Sequence, residues 1–186
     1  NTGNTEVKGL EFSLGADGKL TKNWSLTVLA GYTYTLPVAK DTAYVFAKDR
    51  PAEGFTQTLL TFANTSTDTN SNILKYRFQH LAKADIEITY KKISLGGSWR
   101  YYSFMKNIDK TFYDLDEPYL LPTGIKRYRE KHHNETQIFD ARLAVQATKQ
   151  LRFSVIVANL FNLEYSLRPL KVEAPRTIAF QLSLKL

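Results

Sequence analysis

Polar and apolar residues alternate one for one along seven stretches of this chain, the period of an extended strand with two different faces. The last is the most regular: across 175–186, Ile178, Phe180, Leu182, Leu184 and Leu186 share one face, and Ala179, Gln181, Ser183 and Lys185 the other. In 151–158, Leu151, Phe153, Val155 and Val157 oppose Arg152, Ser154, Ile156 and Ala158. In 137–148, Phe139, Ala141, Leu143, Val145 and Ala147 oppose Asp140, Arg142, Ala144 and Gln146. The same reading gives strands over 6–20 (Leu10, Phe12, Leu14 and Ala16 against Glu11, Ser13 and Asp17) and 24–36 (Trp24 through Tyr34 against Ser25, Thr27, Gly31 and Thr33). It gives two more over 81–90 (Ala84, Ile86, Ile88 and Tyr90 against Asp85, Glu87 and Thr89) and 93–105 (Leu95, Gly97, Trp99 and Tyr101 against Ser94, Gly96, Ser98 and Arg100). Each has about the 9–11 residues a tilted strand needs to cross a bilayer. Hydrocarbon on one face and charge on the other predicts a wall between lipid and a watery interior.

The connections alternate in length. Thr21-Lys22-Asn23, Lys91-Lys92 and Lys149-Gln150 are tight turns, whereas 37–79, 106–135 and a shorter stretch near 168–174 are long and polar. Short turns at one end and long loops at the other are the habit of transmembrane barrels. Tyr32, Tyr34, Tyr101, Tyr102, Phe104 and Tyr165 fall near the long-loop ends, and Trp24 and Tyr90 near the turns, as two interfacial girdles would place them. Barrels of this kind close with an even strand number, so seven strands predict a partner strand elsewhere. Segments 43–46 or 56–62 would supply an eighth if the barrel were small and self-contained.

Composition narrows this further. No run is long and apolar enough for a membrane helix, and the low mean hydropathy is what a wall with one polar face gives. The chain has no cysteine, which removes disulfides, thiolate metal sites and thiol nucleophiles. Its net charge of +7 is scattered rather than gathered in a stripe, so nucleic acid is not an expected partner. The basic side chains suit loops, a polar lumen, and lipopolysaccharide phosphates at an outer surface. The chain opens Asn1-Thr2-Gly3-Asn4, without Met or a signal peptide, as an exported mature protein or an internal piece would.

Several segments resemble one family. Val7-Lys8-Gly9-Leu10-Glu11-Phe12 resembles the Gly-hydrophobic-Glu strand start of TonB-dependent outer-membrane receptors, and Asn23-Trp24-Ser25-Leu26 through Gly31-Tyr32-Thr33-Tyr34 the hairpin arm that follows it. Asn159-Leu160-Phe161-Asn162-Leu163-Glu164-Tyr165 resembles the family's Asn-Leu-Phe-Asn…Tyr segment, and Pro175-Arg176 the pair that opens its last strand. Leu74-Lys75-Tyr76-Arg77-Phe78-Gln79-His80 is similar to receptors of the Bacteroidetes type. Two features depart from the family: the chain stops at Leu186 rather than an aromatic, and no plug domain or TonB box is present in it. The resemblance implies an all-β fold, the C-terminal strands of a larger (roughly 22-stranded) transmembrane antiparallel up-and-down β-barrel. It also implies a bacterial outer-membrane location with a periplasmic C-terminus, and TonB-driven import of a scarce nutrient of the iron-chelate, haem, cobalamin or glycan class. Its partners would be outer-membrane lipid and lipopolysaccharide, the plug and remaining strands, and TonB through the N-terminal part.

Candidate site residues fall into two groups. Tyr44, Tyr113, Asp114, Asp116, His132 and His133 lie in the long connections and are candidate ligand contacts; Glu117 and Tyr119 belong to the same acidic, aromatic stretch. Adjacent His132 and His133 are poorly placed to chelate one ion, because neighbouring side chains in an extended chain diverge. The acidic stretch lacks the regular ligand spacing and Gly of a calcium loop. His80, at a strand entrance, is expected to hydrogen-bond at the interface. Asp85, Glu87, Arg100, Asp140 and Arg142 are expected on the inner face, as paired lumen charges or plug contacts. No nucleophile–base spacing stands out, so neither an enzyme nor a cofactor is expected. The competing readings are a small barrel acting as pore or adhesin, and a soluble β-sandwich binding module.

Overall fold

The computed structural model describes residues 3–50, 53–54, 56–116 and 123–185. In chain order its elements are β1 (Thr5–Lys19), β2 (Trp24–Ala39), β3 (Val45–Lys48), β4 (Leu59–Thr61), α1 (Phe62–Thr65), β5 (His80–Tyr90), β6 (Ile93–Tyr102), α2 (Thr111–Asp114), α3 (Ile125–Lys131), β7 (Thr136–Gln146), β8 (Leu151–Ala158) and β9 (Thr177–Leu184). Seven of these form one antiparallel up-and-down sheet in the order β1-β2-β5-β6-β7-β8-β9. The sheet is open: among the described residues nothing pairs with the far side of β1 or β9. The seven expected strands are therefore present, with shifted ends. Neither candidate eighth strand joins them, since β3 and β4 pair with each other in a separate hairpin.

Register places like with like across the whole sheet. One continuous row reads Leu26, Ile88, Leu95, Leu143, Val155 and Phe180 from β2 to β9, and the neighbouring residues form the polar face in the same way. Exposure inverts the soluble norm. Phe12 is 63% exposed, Leu95 57% and Phe180 72%, whereas Ser94 and Ser154 on the polar face are only 8% and 9% exposed. A sheet that folds in water buries its apolar face against another layer; this one leaves it open.

Where strand ends differ from expectation, a local cause is visible. β2 runs through Pro37 to Ala39. Thr35 and Ala39 donate their amides to Gln79 and Asn72, away from β1. Pro37 lies between them on that side, so its missing N–H costs the β1–β2 ladder nothing. β7 stops at Gln146 because the Thr148 hydroxyl accepts the amides of Gln150 and Leu151 and starts the turn early. The two-residue Lys91-Lys92 turn has Lys91 at a positive φ of 52°, as a hairpin turn of this length requires.

All three short turns lie at one end and the three long connections (40–79, 103–135 and 159–176) at the other. The clearest hydrophobic core belongs to these loops, not to the sheet. Met105, Ile108 and Ile125 are buried together, with Tyr76, Phe78, Phe112 and Tyr113 packed around them. Asn107, fully buried, clamps the first loop to the second. Its Oδ1 accepts the amides of Thr67 and Asp68, and its Nδ2 donates to the Ile73 carbonyl.

Candidate functional site

The polar face carries a ladder of paired charges. Arg142 on β7 grips Asp85 on β5 with both terminal nitrogens (2.7 and 2.6 Å) and gives its Nε to Glu87 at 3.0 Å. Ser98 donates to Asp85 at 2.7 Å, and Arg152 reaches Glu87 at 3.5 Å. Beside them Arg100 pairs with Asp140 at 2.9 Å, and Asp140 also accepts the amide of Asn159. The side chains must cross β6 to meet, and Gly96 lets them. A Cβ on Gly96 would lie 2.5 Å from Arg142 Nε, so the absent side chain is the seat on which the guanidinium lies. Two-nitrogen capture of a carboxylate fixes geometry as well as charge. The five residues expected on the inner face all lie on this polar face, Arg100 and Asp140 as a separate pair and Asp85, Glu87 and Arg142 as one cluster. Arg152, Ser98 and Gly96 complete it.

The loops hold a second site. α3 and the loop 159–176 face each other across a groove of about 610 Å³, floored in part by Phe78, Phe104 and Ile125. His132 stacks on Tyr128 one helical turn back, with centroids 4.3 Å apart. Burial first, and Glu164 second, push the Tyr128 phenol above its ordinary value, so the stacked pair offers a neutral tyrosine. Arg129 lies over the Phe104 ring at 4.7 Å and donates to the Met105 carbonyl and the Tyr113 hydroxyl.

The loop candidates divide. His132 lines the groove, while His133 turns away to bond the Glu130 carbonyl. Tyr113 packs on the loop core, Asp114 borders a separate smaller hollow, and Tyr44 is exposed in the first loop. Glu117 and Tyr119 lie outside the described residues. Among the described residues no cluster of three His, Asp or Glu could hold a metal. His80 meets the Tyr32 hydroxyl at 2.8 Å.

Asp116 caps α3. Its carboxylate accepts the amides of Gly124 (2.5 Å) and Lys126 (2.9 Å) and the Thr123 hydroxyl. Loss of water works against its ionisation, but these three donors outweigh that and hold its carboxyl below the ordinary carboxylate value. A depressed native value means the cap is in force above the unfolded-state value near ~4 and is lost as pH falls through the native one. Hydrogen-exchange protection over 123–131 should therefore persist as pH drops past ~4 and be lost only below the native value, whereas Asp116→Ala should lack it throughout. Equal exchange in the two proteins rejects the cap.

The girdle grouping also needs correction. Trp24 and Tyr90 pair at 4.5 Å by the turns, and Tyr32, Tyr34 and Tyr101 lie on the apolar face at the loop end. Tyr102 and Tyr165 do not join them. Tyr102 alternates to the polar face and packs on Phe78, Tyr165 is buried beneath the third loop, and Phe104 lines the groove. The Asn159-to-Arg176 motif gains a physical basis. Asn159 and Asn162 both adopt positive φ, near 52°, a conformation Asn tolerates better than most residues. Asn159 Oδ1 accepts the Leu163 amide, and Asn162 Oδ1 that of Arg176, which ties the motif to the start of β9.

No family model matches this sequence, and no curated protein matches it either.

Proposed function

We propose that this chain is the C-terminal part of the wall of a TonB-dependent outer-membrane receptor, importing a scarce nutrient into the periplasm. The observation that carries the reading is the exposed apolar face, seven strands wide, backed by a sheltered face of paired charges. Lipid is the solvent in which that arrangement is favourable. The aromatic bands give a matching height. Ten residue steps separate Trp24 from Tyr34 on β2; at ~3.3 Å each they span ~33 Å, which a ~40° tilt projects to the ~25 Å of an outer-membrane apolar band. Open edges on β1 and β9 call for further strands, because unpaired backbone in hydrocarbon costs several kcal/mol per group. The Asn-Leu-Phe-Asn…Pro-Arg motif favours this family over a small pore or adhesin, and the segments that would have closed a small barrel form their own hairpin. A soluble sandwich would need a second layer over the apolar face.

The test uses the full-length protein in its native membrane, with single cysteines at Glu53 in a long loop and Lys22 in a turn. An impermeant maleimide should label the loop cysteine in intact cells and the turn cysteine only after the outer membrane is opened. Both labelling alike rejects the topology. Uptake assays across iron chelates, haem, cobalamin and glycans, with and without TonB, test the transport half: uptake that persists without TonB rejects it.

A further inference from the structure

We infer that the groove between α3 and the loop 159–176 binds an amphipathic organic acid, an apolar body bearing one carboxylate or phosphate. This names a substrate class for the proposed receptor, and it rests on that reading only in making the groove face the external medium. Three observations lead to it.

The groove's volume, about 610 Å³, lies within the range of small-molecule sites. Its apolar lining is unspent. Leu170 and Val172 are 70% and 66% exposed although they border the groove, and Leu170 is held at a φ of +61°, a region that bulky residues seldom adopt. A loop that presents leucine and valine over a groove in this way gains when something apolar covers them.

Arg129 supplies the charge. It is half-buried, and every partner it has is neutral: the Met105 and Lys106 carbonyls, the Tyr113 hydroxyl and the Phe104 ring. Among the described residues no carboxylate pairs with it, and its Nη1 bonds to nothing. A guanidinium held rigidly by neutral groups, with donors to spare, is prepared for an incoming anion.

The remaining charges agree in sign. Lys131 and Arg168 line the groove without a side-chain partner among the described residues, while Lys171 is tied to Glu173. Glu135 and Glu164 are the acidic residues of the lining, so Arg129, Lys131 and Arg168 leave a positive excess. A neutral glycan would want a lining of polar groups, and a cation would meet that excess.

The chain's lack of cysteine gives the test. Full-length protein carrying Leu170→Cys as its only thiol is treated with an impermeant maleimide, in intact and in permeabilised cells. The probes are 4-butylbenzoate, 4-butylbenzamide and 4-butylbenzylamine. The benzoate should slow labelling, the neutral amide should need ~tenfold more for the same effect, and the amine should not protect. Lys131→Glu with Arg168→Glu, both on exposed side chains, should weaken benzoate protection ~tenfold; Arg129→Lys should weaken it while loop folding is kept. Equal protection by all three probes, no protection by any, or benzoate protection indifferent to these substitutions overturns the assignment. The membrane reading fails separately. A cysteine reached only in permeabilised cells would place the groove on the wrong side, and the probe comparison there would still decide the ligand class.

Discussion

Ile86→Arg should cost the folded sheet ~2–4 kcal/mol if its apolar face meets lipid as proposed, the penalty for a cation near a bilayer midplane. Ile86 lies halfway along β5, between Tyr90 of the turn-end aromatic band and Ala82, which pairs with Tyr32 and Tyr101 of the other band. Its cross-strand neighbours are Val28 and Gly97. The side chain is 49% exposed, and in a water-soluble protein such a site accepts arginine within about 0.5 kcal/mol. The two solvents therefore predict answers several-fold apart for one substitution. Urea titration of full-length protein folded into lipid vesicles measures the difference, with Ile86→Leu as the control for shape. A variant as stable as the parent would remove lipid from that face.

Arg142→Met should destabilise the sheet by ~2–3 kcal/mol, because Asp85 loses its cation and Glu87 keeps only Arg152 at 3.5 Å. That is below the ~3–5 kcal/mol of a fully buried broken pair, since the three side chains remain roughly a quarter to a third exposed. Removing the charge from all three, as Asp85→Asn, Glu87→Gln and Arg142→Met together, should recover most of the loss, because the penalty lies in the orphaned carboxylates rather than in the missing attraction. Gly96→Ala reaches the same end by displacement, its new methyl falling where the guanidinium now rests. A triple variant no more stable than Arg142→Met would show that the cluster does not behave as one unit.

The sheet was legible because its information is local. In β6 and β7 each step of the alternation decides a side, so Leu95 and Arg142 could be assigned to opposite faces from spacing alone, and the expected pairing of Arg142 with Asp85 and Glu87 followed from their sharing the polar face. Gly96 was assigned to the right face, but its use depends on an arginine 46 residues further along. The loops resisted for a related reason. Asn107 is defined by amides at Thr67 and Asp68 and a carbonyl at Ile73, and nothing in the intervening polar sequence marks such a partner. Asp116 carried a signal with two readings. An acidic residue ahead of Gly124 and a helical stretch suits a cap as well as a ligand, and only the distance to Lys126 decides. Tyr102 and Tyr165 show the limit of counting aromatics near strand ends, since alternation had already put Tyr102 on the opposite face from Tyr101.

The three long loops are not equal. The first and second are riveted together through Asn107 and through Lys75, which bonds both Asp109 and Thr65, whereas among the described residues the hydrogen bonds of the third run to itself and to the strands beneath it. One jaw is thus a fused pair and the other is held from its own root. Whatever widens or narrows the mouth between them can shift the third loop while every rivet of the fused pair stays closed.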